Sequence, residues 1–535
     1  MKGAVVAPQP IPTEIGARVL EGGGNAFDAA VAAAAAQIVF DPFMCGLGGW
    51  GCATVYDAST STTESIGFWP TIGERMHPEI WTDDVQGYTD IWHFALFDDF
   101  RNILGYQAIM TPGTVAGLGE LHRRFCTRPL AELLKPAIEW SDRGYPVPEY
   151  IARSLREQTI QGLPHPVRRA QHTPAIRELW QNADGELIER GERYSNPDQG
   201  RTFERLARYG PDDFYHGELA DIIIRDFEEN DAFVTRNDLN DYHVRNDPPI
   251  QGSYRDCQIQ TSPLPGGGLL LQQMLNVLGL FDLSSLEPNG PEHAYIVAAT
   301  LSWAGVTRFR HLADPRFWDV PAEELLSEEH AEKIADRIRR GELPDQTALN
   351  APGHTTHLCV ADENNNCVSI THTLTTCSGV VVPGTGTFWN DCVALMDPVP
   401  GRPNSYLPGR ARASAVSPTI VFRDGKPVMI LGAPGGWSIT SAVLQTLVNV
   451  IDFGMAPTEA VSAARFHSEG QPVYCEMRIP RATVASMRDR GMQVEQLPYN
   501  YAPSFGRAQC ILMEPDGFRA ASDPRRDGGS AVFAS

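Results

Sequence analysis

Apolar and polar positions recur with two different periods along this chain, and the switch between them divides it. Up to about residue 350 the helical period dominates. The run Pro12-Thr13-Glu14-Ile15-Gly16-Ala17-Arg18-Val19-Leu20 places its apolar residues on one helix face, and Gly22-Gly23-Gly24 stops it. A second helix is predicted from Phe27, with a run of small residues from Ala29 to Ala36 that suits close packing in a core. Further helices are expected over Leu130–Trp140, Glu218–Glu229, Leu269–Leu280 and Glu292–Phe309. The stretch from Tyr145 to about Arg245 reads as mostly helical, with charged faces. Cys52–Tyr56 and Arg255–Ser262 are strand-like exceptions.

Beyond residue 355 the period shortens to two. Strands are predicted over 358–362, 367–374, 378–382, 418–423 and 428–432, with further strand signals at Val473–Cys475 and Gln509–Leu512. The turn-forming run Asp362–Asn366 joins the first two strands into a hairpin. Pro434-Gly435-Gly436 leads into a helix over Ile439–Ile451, and Glu459–Ala464 forms another. Helices first and strands later, around antiparallel hairpins, predict an α+β fold with stacked sheets between helical layers.

Composition narrows the function. With 535 residues the chain is either two domains or one large intertwined unit. Its formal charge of −22 argues against nucleic acid or an anionic membrane surface as a partner. Ten cysteines include no CxxC pair, and no spaced ligand set suggests a metal, so neither a zinc site nor a cofactor is expected. The start of the chain carries Lys2, Pro8 and Pro10 rather than an apolar leader, and no run of about 18 apolar residues marks a membrane span, so a cytoplasmic location is expected. The Gly-rich run Asp41–Gly51 leads into a strand and contains no lysine, which excludes a phosphate-cradling loop. Its glycines serve close backbone approach instead.

The candidate chemistry sits where the loop-like segment Gln346–Pro352 enters the hairpin, at Gly353-His354-Thr355-Thr356-His357. A hydroxyl is a poor nucleophile without a base beside it. Cutting the chain in front of a threonine supplies one, because the freed α-amine can take the hydroxyl proton. A threonine at a strand entrance does not select this chemistry by itself. His357 and His372 lie nearby and read as structural strand residues.

Eight short motifs, in order, carry a resemblance. They are Gly22-Gly23-Gly24-Asn25-Ala26-Phe27-Asp28-Ala29-Ala30, Gly46-Leu47-Gly48-Gly49, Thr111-Pro112-Gly113-Thr114-Val115-Ala116-Gly117, Pro263-Leu264-Pro265-Gly266-Gly267, Gly353-His354-Thr355-Thr356-His357, Ser417-Pro418-Thr419-Ile420, Gly432-Ala433-Pro434-Gly435-Gly436 and Ser522-Asp523-Pro524-Arg525. Together they resemble the gamma-glutamyltranspeptidase family of N-terminal-nucleophile hydrolases. The resemblance implies a four-layer αββα sandwich and a precursor that cuts itself between His354 and Thr355. The pieces would be a large subunit, 1–354, and a small subunit, 355–535, that stay together as partners. Thr355 would attack a small-molecule amide, and the acyl group would pass to water or to an amine. Thr373 matches a second threonine that orients the nucleophile, and Gly435 and Gly436 match the oxyanion-hole glycines.

The departures from that family concern the acyl group. Trp69 stands where the family has an arginine, Thr375 where it has an asparagine, and Ser414-Ala415 where it has a serine pair. The run from Asn390 reaches Leu395 at the family's acidic position. Trp69, Thr375, Asn390 and Ser414 are therefore the candidate substrate-binding positions. Each lost charge-assisted contact is worth about 1.5–3 kcal/mol, so a glutamyl head group is not expected. Trp69, Trp389 and Leu395 suggest a more apolar pocket. The leading expectation is a self-processing amidase acting on a non-glutamyl acyl group. The alternative is a gamma-glutamyl hydrolase or transferase acting on glutathione-like amides, its clamp rebuilt from Arg410 or Arg412. A third reading, an uncleaved inactive scaffold, is opposed by the joint presence of Thr355, Thr373, Gly435 and Gly436. Asp523-Pro524-Arg525-Arg526 reads as a structural turn near the C-terminus.

Overall fold

Two six-stranded antiparallel sheets stack face to face between two layers of helices. The computed structural model describes residues 3–89, 94–157, 163–344, 354–526 and 528–533. In the first sheet the strands run Gly529–Phe533, Gly3–Ala7, His354–Asp362, Cys367–Thr375, Trp50–Asp57, Thr62–Phe68. In the second they run Gly517–Ser522, Gln509–Glu514, Lys426–Gly432, Thr419–Arg423, Cys257–Thr261, Ile250–Tyr254. The fold is the α+β, four-layer sandwich of the N-terminal-nucleophile hydrolases. Both sheets take strands from either side of residue 354, so the two parts of the chain are interleaved throughout.

The central hairpin is buried on both faces, which is why its apolar residues run almost without a break. Cys359, Ala361 and Cys367 pack between the sheets against Ile420, Phe422, Ile430 and Ile511. Leu358, Val360, Val368 and Ile370 face the other way, onto the helix Ala26–Phe40. Every residue of that helix is buried, and its alanines let the backbone lie close to the sheet. It starts with reciprocal hydrogen bonds: Asp28 N–H donates to Asn25 Oδ1 at 2.8 Å, and Asn25 N–H donates to Asp28 Oδ2 at 2.9 Å. The outer face of the second sheet is covered by the helices Gly268–Leu278, Pro291–His311 and Ser438–Ile451.

Two findings correct the sequence reading. The strand predicted over 378–382 does not form; Val381 makes only an isolated bridge to Phe388. Thr375, Cys377 and Gly379 take positive φ values of 73°, 70° and 76°, which turns the chain out of the sheet. The strands Gly3–Ala7, Ile250–Tyr254, Gly517–Ser522 and Gly529–Phe533 were not anticipated, and three of them are outermost in their sheets. The predicted loop Gln346–Pro352 and Gly353 lie outside the described residues.

The turn at Asp523–Arg526 is structural, as expected, but it is a buried ionic knot. Arg465 pairs with Asp523 at 2.5 Å, Arg525 with Glu476 at 2.7 Å, and Arg526 with Asp41 at 2.5 Å. Among the described residues no helix is long and apolar enough to cross a membrane, and no His, Cys, Asp and Glu cluster could hold a metal. All ten cysteines are unpaired.

Candidate active site

Thr355 is the second residue of the strand His354–Asp362, and the ladder is irregular at that point. His354 pairs with Thr375 and Thr356 with His372, so one residue of this strand stands against two of its neighbour. A bulge of this kind re-aims the side chain it carries. Thr355 is buried, and its hydroxyl donates to Thr373 Oγ1 at 3.2 Å. Thr373 Oγ1 also accepts the backbone N–H of Thr375 at 2.8 Å. The second threonine is thus fixed by its own strand end and in turn fixes the first.

Thr375 is strained. A β-branched residue at positive φ is unusual, and such strain collects at functional sites. Its side chain is held three ways. Trp50 Nε1–H donates to Thr375 Oγ1 at 3.2 Å and Arg412 Nη1 donates at 3.1 Å. With both lone pairs taken, the Thr375 hydroxyl proton is left for Cys392 Sγ at 3.2 Å. Burial pushes the Cys392 thiol up to about 12, so it stays protonated and does not compete as a nucleophile.

These residues line one cleft of about 350 Å³. Its walls include Trp50, Thr355, Thr373, Thr375, Arg412 and Gly436, and an apolar side made by Leu395, Val416, Trp437 and Ile439. Ser414 lines it as well. Among the described residues no carboxylate lines it. Gly435 and Gly436 precede the helix Ser438–Ile451 and have φ values of 142° and 59°. A Cβ on Gly435 would lie 2.5 Å from Gly506 Cα, so this turn admits glycine alone. The turn opens a helix N-terminus, where backbone N–H groups and the helix dipole favour negative charge.

The cleft contains five of the eight positions singled out from sequence as catalytic or substrate-binding: Thr355, Thr373, Thr375, Ser414 and Gly436. Gly435 is the neighbour of Gly436 in the same turn. Two positions lie elsewhere. Trp69 is buried behind Trp50, the ring centroids 6.1 Å apart, and it is Trp50 that faces the cleft. Asn390 spends its amide on backbone, donating to Gly48 O at 2.8 Å and Met110 O at 2.9 Å and accepting from Met110 N–H at 3.0 Å. It braces the turn before Trp50. Trp389 belongs to the helix-side core, against Phe214 and Phe227. His354 continues the strand in front of Thr355.

Trp50, Val416, Trp437 and Ile439 were missed. Two of them had a signal: Trp50 directly follows Gly46-Leu47-Gly48-Gly49, and Trp437 directly follows Gly435-Gly436. A residue abutting a glycine turn that forms a site is itself close to that site.

The neighbouring residues serve the fold. Gln9 and Gln37 side-chain amides donate to Thr356 Oγ1 at 3.0 and 2.9 Å. His372 Nε2–H donates to Gln37 Oε1 at 2.9 Å, and His357 Nδ1 meets Thr371 Oγ1 at 2.8 Å. Burial pushes both imidazoles down to about 3, helped for His357 by His372 beside it, so both are neutral.

The comparisons with known proteins identify the family. The family model described as Gamma-glutamyltranspeptidase matches residues 12–533. A glutathione hydrolase proenzyme of Escherichia coli (strain K12) is 31% identical over 98% of this chain and 90% of its own length. An acylase ACY 1 proenzyme of Pseudomonas sp. (strain SE83) is 31% identical over 100% of this chain and 94% of its own. The crystal structure of cephalosporin acylase from Bacillus halodurans superposes with a TM-score of 0.89 at 25% identity, covering 100% of this chain and 96% of that one.

Proposed function

The chain belongs to the gamma-glutamyltranspeptidase family and is an amide hydrolase or acyltransferase of it, and from that premise we propose that Thr355 is the nucleophile of a self-cleaving amidase that acts on a non-glutamyl acyl group. The observation that carries this reading is the Thr355–Thr373 hydroxyl contact of 3.2 Å in a cleft that Gly436 also lines. In the first step Thr355 Oγ1 attacks the His354 carbonyl carbon. The His354–Thr355 amide becomes an ester, and water hydrolyses it to leave a His354 carboxylate and a free Thr355 α-amine. The pieces 1–354 and 355–535 stay together, because both sheets contain strands of each. Two of the similar proteins are themselves named proenzymes.

In the second step the α-amine takes the Thr355 hydroxyl proton and Oγ1 attacks the substrate carbonyl. The negative charge that develops on the carbonyl oxygen lies toward the N–H groups of Gly435 and Gly436. The C–N bond breaks, the leaving amine takes the proton from the α-ammonium, and an ester to Thr355 remains. Water or a second amine then takes the acyl group by the reverse proton route.

The two proenzyme relatives, one a glutathione hydrolase and one an acylase, are each 31% identical to this chain, so the likeness does not separate the two acyl groups, and the cleft supports the non-glutamyl reading. A glutamyl head group carries an ammonium, and the described lining residues offer it no carboxylate. The reading is tested by trapping the ester. An activated acyl ester that transfers quickly and hydrolyses slowly is expected to add one acyl mass to the peptide beginning at Thr355. An adduct on any other residue contradicts it.

A further inference from the structure

A second cavity adjoins the cleft that holds Thr355. It encloses about 820 Å³, against about 350 Å³ for the cleft, and the two share the walls Leu395 and Trp437. Among the described residues that line the cleft, only Leu395 and Gly436 are not fully buried. The open side of the cleft therefore includes the wall it shares with the second cavity. Trp437 is braced there: the Arg308 guanidinium lies 3.7 Å from its ring centre, and Arg308 is paired with Glu469.

The polar groups of the second cavity are already matched. Arg308 has Glu469, and Arg402 pairs with Asp397 at 3.2 Å. The Asn404 amide donates to Leu312 O at 2.8 Å and accepts from Ala413 N–H at 3.2 Å. A charged ligand group would lose water there without gaining a free counter-charge, which is costly. What the cavity offers instead is apolar surface, from Phe309, Leu312 and Met396 beyond the shared walls. Small-molecule sites enclose roughly 300–1,000 Å³, and the Thr355 cleft alone is at the low end of that range. An amide carries a chain on each side of its carbonyl, so a substrate of any length must leave the cleft with one of them.

We propose that the two cavities are compartments of one substrate site, and that the substrate is an amide with an extended, uncharged, apolar chain; the proposal rests on Thr355 being the acylated residue. The chain crosses between Leu395 and Trp437, and its far part lies against Phe309, Leu312 and Met396. Each methylene that crosses gives up water for apolar wall, so the second cavity rewards length. Leu395 and Trp437 are then specificity-determining residues, because they border both compartments. The chain belongs to the acyl group or to the leaving amine. The chemistry that recognises it is the same in both cases, and the two arms of the test tell them apart.

The test is two series of amides, each lengthened stepwise from an acetyl or ethyl chain to a dodecanoyl or dodecyl one. p-Nitroanilides are lengthened on the acyl side and N-alkyl acetamides on the amine side, with the released nitroaniline or alkylamine measured. One series is expected to rise in kcat/KM by about three- to fourfold per methylene beyond butyl length, and the series that rises identifies the half of the amide that crosses. Phe309 lines the second cavity and not the cleft. Phe309→Ala is expected to cut the gain from butyl to decyl length by about tenfold. Leu395→Trp, which narrows the passage, is expected to cut it at least as far. Both are read as the ratio of long to short chain within one protein, so a smaller folded fraction does not enter. Series that are flat or fall beyond butyl length on both arms overturn the proposal, as does a long-chain preference that both variants keep. If no amide is turned over and the chain stays uncut, the Thr355 reading has failed. Equilibrium dialysis with decananilide and N-decylacetamide then decides the cavity: binding to wild type that weakens in Phe309→Ala upholds it, and absent or unchanged binding overturns it.

Discussion

Thr355 and Thr356 are adjacent, equally buried and of the same chemistry, yet the structure treats them as opposites. Thr356 points to the helix layer, where Gln9 and Gln37 hold its hydroxyl. Its surroundings form a closed network that continues to His372. Thr355 sits at a ladder irregularity and lines a cleft, beside a β-branched residue in a left-handed conformation and the guanidinium of Arg412. On the Thr356 side the hydroxyl is held by two amides of the protein. On the Thr355 side the strained Thr375 and the glycine turn border an open cleft. That contrast separates a structural threonine from a reactive one where the residue type cannot.

The largest expected effect breaks the contrast at its centre. Thr355→Ala is expected to leave the chain uncut and to lower amide turnover by about 10⁴-fold or more, with no loss of folding. Gly436→Ala puts a side chain on a residue at φ 59° that lines the cleft, and a loss of kcat of about 10²–10³-fold is expected with little change in KM. Thr373→Val keeps volume but removes the hydroxyl that accepts from both Thr355 and the Thr375 backbone. Steady-state rates are expected to fall about 10–100-fold, and self-cleavage to slow.

On the structural side, Thr356→Val is expected to cost about 1–3 kcal/mol of stability, because the buried Gln9 amide loses one of its two acceptors while Gln37 keeps Gln9 Oε1 and the His357 carbonyl, measured by urea unfolding. Its kcat/KM in the folded fraction stays within a few-fold of wild type. A loss of activity as deep as that of Thr355→Ala would erase the distinction between the two residues.

The smallest effect is on pH dependence. His357 and His372 are held near 3 when folded and return to the ordinary imidazole range, about 6.5, when unfolded. Between those values the unfolded chain binds more protons, so their contribution to stability is complete above about 6.5 and is lost as the pH falls toward 3. The urea midpoint is expected to drop between pH 7 and pH 4.5, and to drop less in His372→Gln. An equal slope in both proteins contradicts the assignment of buried neutral imidazoles.

The sequence made some of this legible and hid the rest for physical reasons. Long periodic helices and the central hairpin follow from spacing alone, because each buries a face that its pattern must match. Thr355, Thr373 and the Gly435-Gly436 turn stand out only through the family resemblance; by residue type and spacing alone each reads as an ordinary strand or turn position. The strand Gly3–Ala7 has no such signal: five residues buried between two other strands read as an apolar run without flanking turns. The irregularity at Thr355 and the left-handed Thr375 have no compositional mark, since both are imposed by the surrounding sheet. Trp69 was named where Trp50 was needed, because the strand crossing that puts one indole in front of the other is a tertiary fact. Asn390 is chemically suited to bind a ligand, but the backbone of Gly48 and Met110 claims it first.

The central claim is that the bond before Thr355 is cut by Thr355 itself. Intact mass spectrometry of the purified chain beside Thr355→Ala tests it directly. The account predicts two wild-type species, one ending at His354 and one beginning at Thr355, and a single uncut species for the variant. A wild type that stays one chain, or a variant that is cut at the same bond, would contradict it.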